Sequence, residues 1–128
     1  MDEQSQTITG PFGHFIRRAN GLVYFYKRDD LAIDMSTAEK FLDTVRVLDD
    51  SGDARVMVIQ GQGVEYSFEA QHLLLTNDVV GKVAYVIQTG TQYLTVELLQ
   101  NMAKSFKSRM QLAIFQEVEE AEKWLLNS

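Results

Sequence analysis

The chain is 128 residues long, 45% hydrophobic and 23% charged, which is room for one domain with one sizeable core and too apolar for a disordered chain. It holds no cysteine, so a disulfide framework, thiolate catalysis and thiolate metal sites are excluded. A formal charge of −6 argues against general nucleic-acid binding, which relies on Lys and Arg to neutralise phosphates. The start, Met1 to Thr7, is polar and acidic and lacks the basic and apolar regions of a signal peptide. No apolar run approaches the roughly 18 residues of a membrane span. A cytoplasmic protein is expected.

Residues 1–10 read as a flexible lead-in, and 11–128 as a single α/β domain. Gly10-Pro11-Phe12-Gly13 marks a turn or strand entrance. His14 to Arg18 and Leu22 to Lys27 are β-prone runs on either side of Asn20-Gly21. That dipeptide signals a hairpin, because both residues tolerate positive φ. The second run is apolar on both faces, as in a strand covered on both sides. Ser36-Thr37-Ala38-Glu39 reads as a capping box, and Ala38, Phe41, Leu42, Val45 and Leu48 then form a buried helical stripe. Arg55 to Gln60 predicts a central strand.

After the break at Gly61-Gln62-Gly63, Ser67 reads as the N-cap of a short helix over Phe68 to Leu75. Lys82 to Gln88 is a further strand. Thr91 to Lys107 predicts a long helix with Leu94, Leu98, Leu99, Met102 and Phe106 facing inward. Met110 to Phe115 is the last strand. Glu117 to Leu126 is the last helix, with Val118, Ala121 and Leu125 inward and its early glutamates placed where the helix dipole favours them. The order is ββαβαβαβα, which implies a mainly parallel mixed sheet behind an N-terminal β-hairpin.

This order, the Asn20-Gly21 hairpin and the ending Phe115-Gln116-Glu117-Val118-Glu119-Glu120-Ala121-Glu122-Lys123-Trp124-Leu125 resemble the SpoIIAA-like, or STAS-like, bacterial domains, from about Gly13 onward. The resemblance implies a SpoIIAA-like fold. Among the best-understood members, the anti-sigma-factor antagonists, it also implies a protein partner and a phosphorylated Ser at the start of the helix after a central strand. Ser67 is the equivalent residue here, a candidate for phosphorylation or partner contact. The antagonists' strand-ending Asp is absent, since this strand closes Ile59-Gln60-Gly61, and Tyr66-Ser67-Phe68 replaces their Asp-Ser followed closely by Gly.

Catalytic and metal-binding patterns are not found. His14 and His72 are the only histidines and lack a paired ligand spacing. Gly61-Gln62-Gly63 has neither the third glycine of a dinucleotide loop nor the Gly-Lys-Ser/Thr of a nucleotide loop. No catalytic residue, metal or cofactor is therefore assigned. The aromatic set that includes Phe12, Phe15, Tyr24, Phe25, Tyr26, Tyr66, Tyr85 and Tyr93 packs a core or supplies a contact surface. The expectation is a non-enzymatic protein-interaction or regulatory module, with Tyr66, Phe68, Gln71 and His72 beside Ser67 as its surface and a homodimer as one form of partner. The alternative is a small apolar-ligand or lipid-binding protein. The two differ in what they require: an exposed patch near Gly63 to Leu74 for the first, an enclosed apolar pocket for the second.

Overall fold

The computed structural model describes residues 6–127 and opens on three antiparallel strands, β1 (Gln6–Gly10), β2 (Gly13–Arg17) and β3 (Val23–Lys27). The hairpin expected at Asn20-Gly21 joins β2 to β3. Gly21 takes φ 86° there, and the Asn20 side chain accepts from the Leu22 amide at 3.0 Å. Residues Gln6–Gly10, read from sequence as part of a lead-in, are instead an edge strand. Their polar and β-branched residues pair with β2 rather than fray, and Ile8 packs on the core. Residues 1–5 of that lead-in lie outside the described residues. Gly10 pairs with Gly13 across the Pro11-Phe12 turn, and a Cβ on Gly13 (φ +127°) would stand 2.1 Å from the Tyr26 carbonyl oxygen. Only glycine fits there.

The chain continues through β4 (Ala32–Ile33), α1 (Met35–Leu48), β5 (Ala54–Ile59), β6 (Glu65–Tyr66), α2 (Phe68–Leu75), β7 (Val80–Val86), α3 (Gly90–Ser105), β8 (Gln111–Phe115) and α4 (Val118–Leu126). The protein is thus α/β, with a mixed six-stranded sheet in the order β1-β2-β3-β5-β7-β8. β3, β5, β7 and β8 run parallel, joined by crossovers that contain α1, α2 and α3. The short β4 and β6 pair separately.

The three crossover helices bury Phe41, Leu42, Val45, Ala70, Leu75, Val96 and Leu99 against one face of the sheet, with Phe15, Phe25, Val58 and Tyr85. On the other face a smaller cluster joins Tyr24, Met57, Ala84 and Val86 to Ala121 and Leu125 of α4.

Three helix details differ from expectation. Asp34, not Ser36, caps α1: its carboxylate accepts from the Thr37 amide and hydroxyl, both at 2.8 Å, and starts the helix at Met35. The inner stripe of α1 is as expected. In α3 a Thr89–Gln92 capping box starts the helix at Gly90, and the buried stripe is Gln92, Val96, Leu99 and Ala103. Of the residues expected inward, Leu99 is buried and Met102 and Phe106 are half-buried against the core, while Leu94 and Leu98 face outward, so spacing alone leaves the helix rotation open. In α4, Ala121 and Leu125 are buried but Val118 is exposed.

Candidate functional site

Strand alternation sends Val23, Phe25 and Lys27 of β3 to the same face as Phe15. The last of these is a lysine, only 8% exposed, at the carboxyl end of the strand. Its Nζ donates to the Tyr66 hydroxyl. Four rings surround it, with centroids at 4.9 Å (Tyr66), 5.5 Å (Phe25), 5.6 Å (Tyr85) and 6.0 Å (Phe41). The negative faces of these rings hold a cation in place without supplying a counter-charge. No carboxylate pairs with it among the described residues.

The Tyr66 hydroxyl also accepts from Gln60 Nε2 at 3.4 Å. Gln60 is itself buried. Its Oε1 has no hydrogen-bond partner among the described residues, while its backbone carbonyl accepts from Gln92 Nε2 at 2.9 Å. The Gln92 Oε1 in turn takes the amides of Gln88 (2.6 Å) and Thr89 (3.1 Å), so the cap of α3 is tied to the end of β5. Beside Tyr66 lies the Tyr85 hydroxyl, held well above the ordinary phenol value of 10.0, first by burial and then by the neighbouring Tyr66. The carboxyl ends of β3, β5 and β7 thus converge on a polar cluster of Lys27, Gln60, Tyr66 and Tyr85.

A cavity of about 60 Å³ lies between the sheet and α1–α3. Lys27 and Tyr85 stand in its wall among Phe15, Phe25, Phe41, Val45, Val83, Leu99 and further apolar side chains. On the outer side, a groove is lined by Glu65, Tyr66, Gln71, Thr95, Leu98 and Leu99. Tyr66 and Leu99 connect the two: Leu99 lines both, and Tyr66 lines the groove while its hydroxyl meets Lys27.

The five residues named from sequence fall on this outer side. Ser67 is the N-cap of α2, its hydroxyl accepting from the Ala70 amide at 3.1 Å. Gln71 donates to the Tyr66 carbonyl at 3.1 Å. Phe68 and His72 both pack edge-on to the Phe106 ring, at 6.2 and 5.0 Å between centroids. The fold therefore brings Tyr66 and Gln71 into the groove and sets Phe68 and His72 along α2 against the end of α3. His14 is elsewhere, on β2, stacked on Tyr26. Among the described residues no three of His, Asp and Glu gather as a metal ion would require.

Lys27 and Gln60 were not singled out from sequence as site residues, and Tyr85 only as one of the aromatic set. In the sequence Lys27 stands at the head of a charged run with Arg28, Asp29 and Asp30, which gives no sign of burial. The available signal was its even spacing from Val23 and Phe25, which turns it inward. No protein-family model matches the chain, and no curated protein and no solved structure is significantly similar to it.

Proposed function

We propose that the chain is a non-enzymatic, SpoIIAA-like interaction module of the cytoplasm that binds a second copy of itself through the face formed by α2 and α3. The observation that carries this reading is the exposure of three large apolar side chains on those helices: Phe68 is 61% exposed, Leu94 66% and Leu98 54%. Apolar side chains gathered on an otherwise charged surface mark contact sites, and burying them against a twin patch removes them from water. Leu94 and Leu98 lie one turn apart in the first half of α3, and Phe68 packs on Phe106 at its carboxyl end, so the exposed apolar side chains are spread along the length of the helix. The progressive parallel order β3-β5-β7-β8 supports the SpoIIAA-like reading. Among the described residues no helix is long and apolar enough to cross a membrane.

Ser67 is half-buried at the edge of this face, with Glu65 and Glu69 two residues to either side. A phosphoryl group there would displace the cap bond to Ala70 and add charge beside the apolar patch, which weakens association. Sedimentation velocity across a concentration series tests the reading. The wild-type chain should dimerise, and L94D/L98D should sediment as a folded monomer. A wild-type chain that stays monomeric at high concentration overturns self-association.

A second reading, a small apolar-ligand protein, is favoured by one observation, the apolar cavity behind Tyr66 and Leu99.

A further inference from the structure

We propose that the cavity beside Lys27 binds a short-chain carboxylate, with the carboxylate on the Lys27 ammonium and the alkyl chain among the rings of Phe15, Phe25 and Phe41. This inference rests on the second reading above, that the cavity takes a small ligand, and specifies the chemistry of that ligand.

The charge count is the first support. Lys27 is 8% exposed and has no carboxylate partner among the described residues. An ammonium removed from water is held at a large desolvation cost unless a counter-charge and hydrogen bonds offset it. Rings at 4.9 to 6.0 Å offset part of that cost. The Tyr66 hydroxyl takes one of the three N–H donors. An anion in the cavity would take the remaining donors and supply the missing charge.

The shape of the site narrows the class. The cavity of about 60 Å³ is walled mainly by hydrocarbon; its polar side chains are Lys27, Asn77 and Tyr85, and the Lys27 ammonium lies 5.6 Å from the centre of the Tyr85 ring. One water needs about 10–15 Å³ on the same measure, so the space suits a ligand of roughly four to six heavy atoms. That is the size range of acetate, propionate and butyrate. A dianion such as phosphate finds a single cation and no ring of amides, and would leave most of its oxygens against apolar walls. A carboxylate with a short alkyl chain matches both ends.

The test is NMR titration of the full chain, ¹⁵N-labelled, with propionate, with 1-propanol as its uncharged counterpart, and with inorganic phosphate. Propionate should bind saturably, shift the Lys27 Nζ resonance and perturb the Phe25, Phe41 and Leu99 signals. It should bind about tenfold or more tightly than propanol, the scale of a charge-assisted hydrogen bond. K27M, which keeps length but removes the charge, should erase that preference. The Lys27 Nζ signal in the wild-type chain gives the answer even where K27M fails to fold. Equal binding of propanol and propionate, with Nζ unmoved, overturns the carboxylate inference and leaves the cavity as an apolar-ligand site. Binding of phosphate in preference to propionate overturns it as well. No saturable binding of any of the three overturns both the inference and the ligand reading beneath it.

Discussion

Leu125→Ala is the most direct probe of how the second face of the sheet is covered. α4 is nine residues long, and its buried contribution to that face is Ala121 and Leu125, packed on Tyr24, Met57, Ala84 and Val86. A helix so short has little stability of its own in water, so docking must supply it. Leu125 is fully buried. Truncation to Ala removes three carbons, worth about 2.4 kcal/mol at roughly 0.8 kcal/mol each. The cavity left behind adds to this, and measured Leu→Ala substitutions in cores span about 2–5 kcal/mol. Because α4 lies at the periphery of the fold it can settle toward the gap, so the expected loss is about 3 kcal/mol. Leu126→Ala, on the neighbouring half-exposed residue, should cost less than about 0.5 kcal/mol. Urea unfolding at a fixed temperature gives both numbers, and native-state hydrogen exchange should show the α4 amides losing protection before those of β5. Equal losses at the two positions, or a loss below about 1 kcal/mol at Leu125, would refute the docking register and the idea that this side chain anchors the helix.

Other perturbations report on different parts of the molecule. Lys82 of β7 donates to the carbonyls of Trp124 (3.1 Å) and Asn127 (2.6 Å), so Lys82→Met should cost about 1–2 kcal/mol and speed amide exchange in the last turn of α4, read by exchange mass spectrometry. Gly13→Ala forces a side chain onto the Tyr26 carbonyl at positive φ and should cost roughly 2–3 kcal/mol or prevent folding, measured by thermal unfolding. Tyr85 is held above its ordinary value of 10.0 in the folded chain by burial, so its contribution to stability is complete below that value and is lost as pH rises through the folded-state value. Stability should therefore fall on the alkaline side of pH 10.0, and Tyr85→Phe should flatten that fall in urea midpoints taken across the range.

Much of the fold could be read locally. The Asn20-Gly21 turn announces itself because a glycine supplies the positive φ it needs and the asparagine side chain caps it, and the stripe of α1 because five apolar positions agree on one face. The rotation of α3 could not be read in this way, since Leu94 and Leu98 keep helical spacing as well as Val96 and Ala103 do; the choice depends on the sheet beneath and on the cap at Thr89. β1 was missed because its glutamine and threonines carry weak hydrophobic contrast, and β4 and β6 because two residues have no period to detect. Tyr66, Ser67, Phe68, Gln71 and His72, named for a contact surface, could be grouped from sequence because they lie within seven consecutive positions. Lys27, Gln60 and Tyr85 come from three strand ends separated by tens of residues, and only pairing in register brings them together.

The strand order carries a consequence for where any ligand can sit. In doubly wound sheets the order reverses partway across, and the helices on either side of the reversal diverge to open a crevice at the strand ends. Here the parallel strands advance in one direction, β3 to β5 to β7 to β8, and their three crossover helices share one face. No reversal parts them. A small molecule in the cavity between the sheet and these three helices must therefore enter between layers, past side chains such as Tyr66 and Leu99. Its entry and exit would then be gated by side-chain motion, and exchange with solvent would be slower than affinity alone suggests.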